Sequence, residues 1–384
     1  MAFPFEFPGL QSWEGSRTRL LTLSEGLADR GTEVHILCKG DPAYGASSFK
    51  GISLHALPEL PGLRLGRYIA PALYGMAARS LAEAHGIDIV HSHLPIVAAS
   101  VALWKPLIRS KIVFDTHDWF KLRDEVLYNV RLFPRSGAGL VDASERIVVG
   151  RYDGVLVTTE RLREVLGAGK KTFVVPNAVD TSLFKPGRSA FRETTLRGSS
   201  PVVGFLGNVS RHQGFWELMD AFKAVSAEER GATLLAVGGG EVEEARKYAR
   251  GLGIADAVVF TGPGRVPAEQ VPDMVNAMDV AVSPLQREPA YQEYAQPLKV
   301  LEYLACGVPV VVTPLTEQED MVRRSGGGVV AAGFGGAEIA AAVLEALRGK
   351  TTARRVDSSE FVSANFATEI VIKRLMGAYE AVIG

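Results

Sequence analysis

The chain has 384 residues, 47% of them hydrophobic, and a formal net charge of −1. That is enough apolar side chain for two cores at roughly 100–200 residues per domain, and there is no basic surplus of the kind that nucleic-acid binding requires. The two cysteines, Cys38 and Cys306, sit far apart in apolar runs, no apolar stretch reaches the ~18–20 residues of a membrane span, and no basic segment precedes an apolar one at the N-terminus, so a reducing, cytoplasmic setting is expected, with the inner face of the cytoplasmic membrane as a place of work.

The first segment, Ala2–Phe7, reads as a short strand that contains Pro4 and stops at Pro8. Proline cannot donate to a ladder, so this strand is expected either to lack residues upstream or to be an irregular edge. A helix over Arg17–Arg30 and a strand over Val34–Cys38 follow. Next come the helix Ala72–His85 and strands at Ile87–His91, Lys111–Asp115, Gly154–Thr158 and Phe173–Val175. Pro176–Asn177, Lys185–Pro186–Gly187 and the polar stretch Arg188–Ser200 mark a boundary.

Beyond the boundary, strands are predicted at Val202–Gly207, Thr233–Val237, Val258–Thr261, Val280–Ser283 and Pro309–Thr313. Helices fall between and after them: Phe215–Ala227, Glu241–Leu252, Val271–Met278, Leu298–Cys306 and Glu338–Leu347, with an amphipathic helix at Phe366–Val382. Strands that are apolar on both faces and alternate with helices predict an α/β protein of two doubly wound, parallel-sheet domains. The domains are read as 1–184 and 185–362, with a C-terminal helix, 363–384, packing back on the first. Within 63–84, Arg64, Arg67 and Arg79 lie among Ile69, Leu73, Tyr74 and Met76. Such a stripe packs a helix on its sheet or touches an anionic membrane or lipid-linked acceptor.

Two phosphate motifs fail on inspection. Gly262–Pro263–Gly264–Arg265–Val266–Pro267 has proline where a third glycine belongs, and Gly349–Lys350–Thr351 lacks the upstream glycine and strand of a P-loop. No Asp-x-Asp, His-Glu-x-x-His or spaced Cys/His set occurs, so no metal is expected. Four other segments fall at strand ends and helix starts, where α/β sheets carry their sites. Gly15–Ser16–Arg17 precedes the first long helix: the glycine lets backbone approach a ligand and the helix start favours an anion, although an ordinary capped loop reads the same. In Asp115–Thr116–His117–Asp118, His117 is flanked by carboxylates and is either a donor to a sugar hydroxyl or simply solvated. Gly207–Asn208–Val209–Ser210–Arg211–His212–Gln213–Gly214 turns from strand to helix. There Arg211 suits a forked contact with phosphate, or is an exposed arginine in a turn. Finally, Pro297–Leu298–Lys299–Val300–Leu301–Glu302 opens a helix whose first-turn amides can grip an anion or hydroxyls. Lys299 opposes the helix dipole, which points to an anionic partner, and Glu302 can accept both hydroxyls of a ribose. The plainer alternative is a surface Lys–Glu pair.

In order and spacing these pieces resemble glycosyltransferase family 4, retaining enzymes of the GT-B architecture. The resemblance rests on Glu14–Gly15–Ser16–Arg17, Phe114–Asp115–Thr116–His117–Asp118, Val175–Pro176–Asn177–Ala178–Val179–Asp180 with Phe184 and Pro186, Val237–Gly238–Gly239–Gly240, Phe260–Thr261–Gly262, and Pro297–Leu298–Lys299 through Pro309–Val310–Val311. It implies two Rossmann-like domains facing across a cleft. It also implies metal-independent, cofactor-free transfer of a hexosyl group, with retention, from a nucleotide-diphosphate sugar to a hydroxyl of a glycan, lipid-linked or small-molecule acceptor, as in cell-envelope polysaccharide or glycolipid synthesis. Carried over by position, Gly15 lets the first loop approach, His117 contacts the donor sugar, Arg211 neutralises the leaving diphosphate and Glu302 holds the ribose. The backbone at Pro297 and Leu298 meets the pyrophosphate or sugar, and Gly207, Asn208, Gln213 and Lys299 complete the donor-binding set. The chain also departs from the pattern. Tyr294 stands where many members have glutamate, with Glu293 one place off, and Asn208 and Gln213 stand where many carry cations. Those neutral positions leave two other readings, a catalytically degenerate nucleotide-sugar binding subunit and a nucleotide-sugar epimerase of GT-B architecture. Nothing in the sequence sets an oligomeric state.

Overall fold

The computed structural model describes residues 2–6, 15–39, 48–57, 66–93, 95–116, 146–166, 171–196, 200–262, 266–287, 293–349 and 355–384. The chain divides into two units, one built on Ser16–Asn177 with Thr368–Gly384, the other on Ala178–Ala367.

The first unit carries strands β1 (Ala2–Glu6), β2 (Val34–Lys39), β3 (Ser48–Phe49), β4 (Ile52–Leu57), β5 (Ile89–His93), β6 (Lys111–Asp115), β7 (Gly154–Val157) and β8 (Thr172–Val174). They form one sheet in the order β3-β4-β2-β1-β5-β6-β7-β8, parallel apart from the antiparallel β3–β4 pair. The sequence offered β1 as an irregular edge; it lies instead between β2 and β5. Its register against β2 shifts between Phe3 and Glu6, which accommodates the missing N–H of Pro4. Ile36, Ile52, Ile112, Val113 and Val155 are buried in this sheet, and Leu20, Leu23 and Leu27 of the helix Gly15–Ala28 are buried as well. The helix Thr368–Ile383 buries Val371, Ile372, Leu375, Ala378 and Val382 on one face, and its Tyr379 hydroxyl lies 2.6 Å from His91 Nδ1.

The helix Gly66–His85 buries Tyr74, Ala78 and Ala82, and Gly75 N–H donates to Ser100 Oγ of the helix Pro95–Trp104 at 2.9 Å. Of the described members of the 63–84 stripe, Tyr74 is buried and Met76 exposed; the side chains of Arg64, Arg67 and Ile69 lie outside the described residues. Among the described residues no helix is long and apolar enough to cross a membrane.

In the second unit, β9 (Val202–Leu206), β10 (Thr233–Val237), β11 (Val258–Phe260), β12 (Val280–Ser283), β13 (Val310–Val312) and β14 (Gly328–Val330) form a sheet in the order β11-β10-β9-β12-β13-β14, with every pair parallel. Alternate residues of each strand feed two cores. Val203, Phe205, Leu234, Ala236, Val280 and Val282 pack under the helices Phe215–Glu228 and Gly336–Leu347. Val202, Leu206, Leu235, Val237, Ala281 and Val310 pack under Leu298–Ala305 and its neighbours. This two-sided burial is why the strands read as continuous apolar runs.

The units divide between Asn177 and Ala178 rather than after residue 184. The reason is local: Val179 N–H donates to Phe366 O at 2.9 Å, Val179 pairs with Ala367, and Phe184 is buried in the second unit's core. The return falls between Ala367 and Thr368. The expected helix Phe366–Val382 is Thr368–Ile383 in the first unit; the helix before it, Arg355–Phe366 in the second unit, was not expected.

Candidate functional site

In a doubly wound sheet, ligands gather outside the carboxyl ends of the two strands where the strand order reverses. In the second unit those strands are β9 and β12. β9 runs into Gly207, which has φ +138°, then Asn208 and a short 3-10 turn, Arg211–Gln213. Gly214 closes the turn at φ +73°, and a Cβ there would sit 1.7 Å from Pro284 O, the first carbonyl after β12. Only glycine allows this backbone approach, so the loops after the two strands are pressed together at the switch point.

The loop after β12 leads to the helix Leu298–Ala305. Its N-cap is Pro297, which supplies no side-chain hydrogen bond, so the helix start keeps amide donors for an anion or a hydroxyl. Tyr303 ties this helix to the sheet: Leu206 N–H donates to Tyr303 Oη at 2.6 Å. One turn back, Lys299 Nζ donates to Gln213 Oε1 at 2.7 Å and lies 4.7 Å from the centre of the Phe205 ring. A Cβ at Gly207 would lie 3.3 Å from the same Nζ. Burial pulls the Lys299 pKa down to about 7, against an upward pull from Glu302. Glu302 is 1% exposed. The Lys299–Glu302 pair is therefore not the surface pair that the sequence left open.

The structure thus gathers Gly207, Gln213, Pro297, Leu298, Lys299 and Glu302 around one switch point. Asn208 is exposed on the same turn. Arg211 is exposed as well, and its guanidinium stacks 4.9 Å from the centre of the Trp216 ring. Its neighbour His212 is drawn below the usual histidine pKa by burial, with Glu241 opposing and Lys299 reinforcing. Glu293, beside Tyr294, accepts a hydrogen bond from Thr316 Oγ1.

Gly15 is the first residue of the helix Gly15–Ala28, whose remaining residues belong to the first unit. His117 lies outside the described residues, but Asp115 at the end of β6 is fully buried. Arg19 Nε donates to Asp115 Oδ2 at 2.8 Å. The rest of that guanidinium donates to Val175 O (2.8 Å), Pro176 O (2.9 Å) and Asn177 Oδ1 (3.2 Å). His91 Nε2 and His93 Nδ1 lie 3.5 and 3.6 Å from Asp115 Oδ2. Burial pulls the His91 pKa down, with Asp115 opposing. Arg19, His91 and His93 did not stand out in the sequence; the pattern His91–Ser92–His93 at a strand end was the available signal.

Two family descriptions match the chain in tandem, Glycosyltransferase Family 4 over residues 13–183 and Glycosyl transferases group 1 over residues 200–349. The chain belongs to this glycosyltransferase family. The D-inositol 3-phosphate glycosyltransferase of Acidothermus cellulolyticus is 25% identical to this glycosyltransferase over 408 residues, covering 98% of this chain and 87% of the relative. A sucrose-phosphate synthase from Thermosynechococcus elongatus superposes with a TM-score of 0.82 at 18% identity, over 99% of this chain and 98% of that one. HepE from Anabaena, solved in complex with UDP and glucose, gives 0.74 at 17% identity, over 99% and 100%. The fold of this glycosyltransferase is accordingly GT-B, with one Rossmann-like sheet in each unit.

Proposed function

We propose that this glycosyltransferase takes its sugar from a nucleoside-diphosphate sugar bound at the β9/β12 switch point, and passes it with retention to a hydroxyl of a polyol, glycan or lipid-linked acceptor. The observation that carries the reading is Lys299, held by Gln213 over Gly207 at the start of an uncapped helix, with Glu302 buried on the next turn. A cation and the amide end of a helix at one point suit a diphosphate, and a buried carboxylate that only accepts suits ribose hydroxyls. The names of the relatives, a transferase to inositol 3-phosphate and a protein that holds UDP and glucose, support both halves.

During transfer the bond from the anomeric carbon to the diphosphate breaks and one to the acceptor oxygen forms. Lys299 and the helix amides take up the charge left on the diphosphate, a role that protein donors fill without a metal or other cofactor. Arg211 adds charge if it swings from Trp216.

A thermal-shift panel of UDP-, GDP- and ADP-sugars tests the donor half, because a ligand selective for the folded state raises its melting temperature. One nucleotide class is expected to stabilise the wild type. Glu302→Ala should abolish that shift while the melting transition stays cooperative. An undiminished shift in Glu302→Ala would refute the ribose assignment.

A further inference from the structure

We propose that His35, His55 and His85 form a binding site for a divalent first-row transition ion, zinc foremost, remote from the donor site. His35 lies on β2 and His55 on β4; the strand pairing sets His35 against Ser53 and Leu37 against His55. The two histidines are therefore diagonal neighbours on one face of the sheet. His85 is the last residue of the helix Gly66–His85 and comes to the same place, with its ring centre 4.4 Å from that of His35 and 5.7 Å from that of His55. One nitrogen from each of the three histidines lies within 4.8 Å of the others.

The finer geometry fits a metal. His35 Nδ1 and His55 Nε2 are 2.9 Å apart, where two nitrogens at ~2.0–2.1 Å from a tetrahedral ion sit about 3.3 Å apart. Small side-chain rotations close the difference. The other nitrogen of His35, Nε2, is 2.8 Å from Glu33 Oε1. A proton held there by the carboxylate leaves the Nδ1 lone pair for the ion, the carboxylate–histidine–metal arrangement that orients a ligand and raises its basicity. His35 is buried, His55 half-buried and His85 exposed, so an ion has a way in. His35 and His85 also border a cavity of about 410 Å³, which gives room for a water as fourth ligand. Three imidazoles select zinc, nickel or copper over magnesium or calcium.

A second histidine cluster, His91 and His93 with Asp115, has comparable spacing. It is the poorer site, because the Arg19 guanidinium already occupies the Asp115 oxygen that would face the ion. At the His35 site the ion would clasp the end of the helix Gly66–His85 to β2 and β4. The sequence hid this set because its members stand at wide spacing on separate elements.

Equilibrium dialysis and thermal shift of the tag-free full chain with zinc test the proposal, with magnesium and calcium as controls. One zinc per chain and a rise in melting temperature are expected, with no rise for the controls. His55→Gln and His85→Gln, both at accessible positions, should each weaken zinc binding at least roughly tenfold, and Glu33→Gln should weaken it about 10–100-fold. Absence of saturable zinc binding would overturn the site. So would unchanged affinity in both histidine variants, which would place the ion elsewhere.

Discussion

Lys299→Gln is expected to weaken nucleotide-sugar binding by about 2–5 kcal/mol at pH 6, the usual cost of removing one partner of a buried, hydrogen-bonded charge pair. The sign of the pH dependence follows from the site. Burial brings the Lys299 pKa down to about 7 in the ligand-free protein. A bound diphosphate adds negative charge beside the amine and raises that pKa again. Above pH 7 the complex then holds a proton that the free protein has lost. Wild-type affinity should therefore be constant below pH 7 and fall by up to about tenfold per pH unit above it. A nucleotide sugar is the right probe, because its diphosphate is esterified at both ends and does not titrate in this range. Calorimetry from about pH 6 to 8.5 reads both effects, and the slope above pH 7 should vanish in Lys299→Gln. A flat wild-type profile, or a variant that binds like wild type, would remove Lys299 from the diphosphate site.

Arg19→Met should destabilise the first unit by about 3–5 kcal/mol, the range for breaking a buried ion pair from one side. Arg19 and Asp115 side chains are 1% and 0% exposed. Without the guanidinium, Asp115 keeps a buried charge, and the carbonyls of Val175 and Pro176 lose their donor. The double variant Arg19→Met/Asp115→Leu should recover much of the loss, since replacing both members of a buried pair by apolar groups is often nearly neutral. Urea titration with a circular-dichroism readout measures both. A single-variant loss under about 1 kcal/mol would show that Arg19 is not the staple that the hydrogen bonds make it.

These two residues also show what the sequence could disclose. Lys299 was legible because its position is anomalous: a cation in the first turn of a helix opposes the dipole. The burial of Glu302 was not legible, since it depends on how Tyr303 anchors the helix to Leu206. Arg19 was invisible for a stronger reason. Two of its four acceptors are main-chain carbonyls more than 150 residues away, and carbonyls carry no sequence signature.

The same logic separates the elements that were read from those that were not. β9, β10 and β12 are apolar on both faces, and their order and type were plain. The helix Thr316–Ser325 was missed because its buried positions are Gln318, Met321, Val322 and Ser325. The spacing is helical, but half of that face is polar. Gln318 is buried because it donates to Thr313 O and Thr313 Oγ1 and accepts from Ser283 Oγ. β4 was missed because Ser53 and His55 interrupt its apolar run. The edge reading of β1, one of two that the sequence left open, followed from Pro4; the register shift beside it lets a central strand keep the proline.

The β9/β12 switch point is expected to bind a sugar nucleotide for transfer. The most direct test is proton NMR of the product formed from the nucleotide sugar that stabilises the protein, offered with inositol phosphate, simple sugars and a lipid-linked glycan as acceptors. One new glycosidic linkage with the anomeric configuration of the donor is expected, with nucleoside diphosphate released in equal amount and both lost in Glu302→Ala. An inverted linkage would contradict retention, and conversion of the donor without any acceptor would contradict transfer itself.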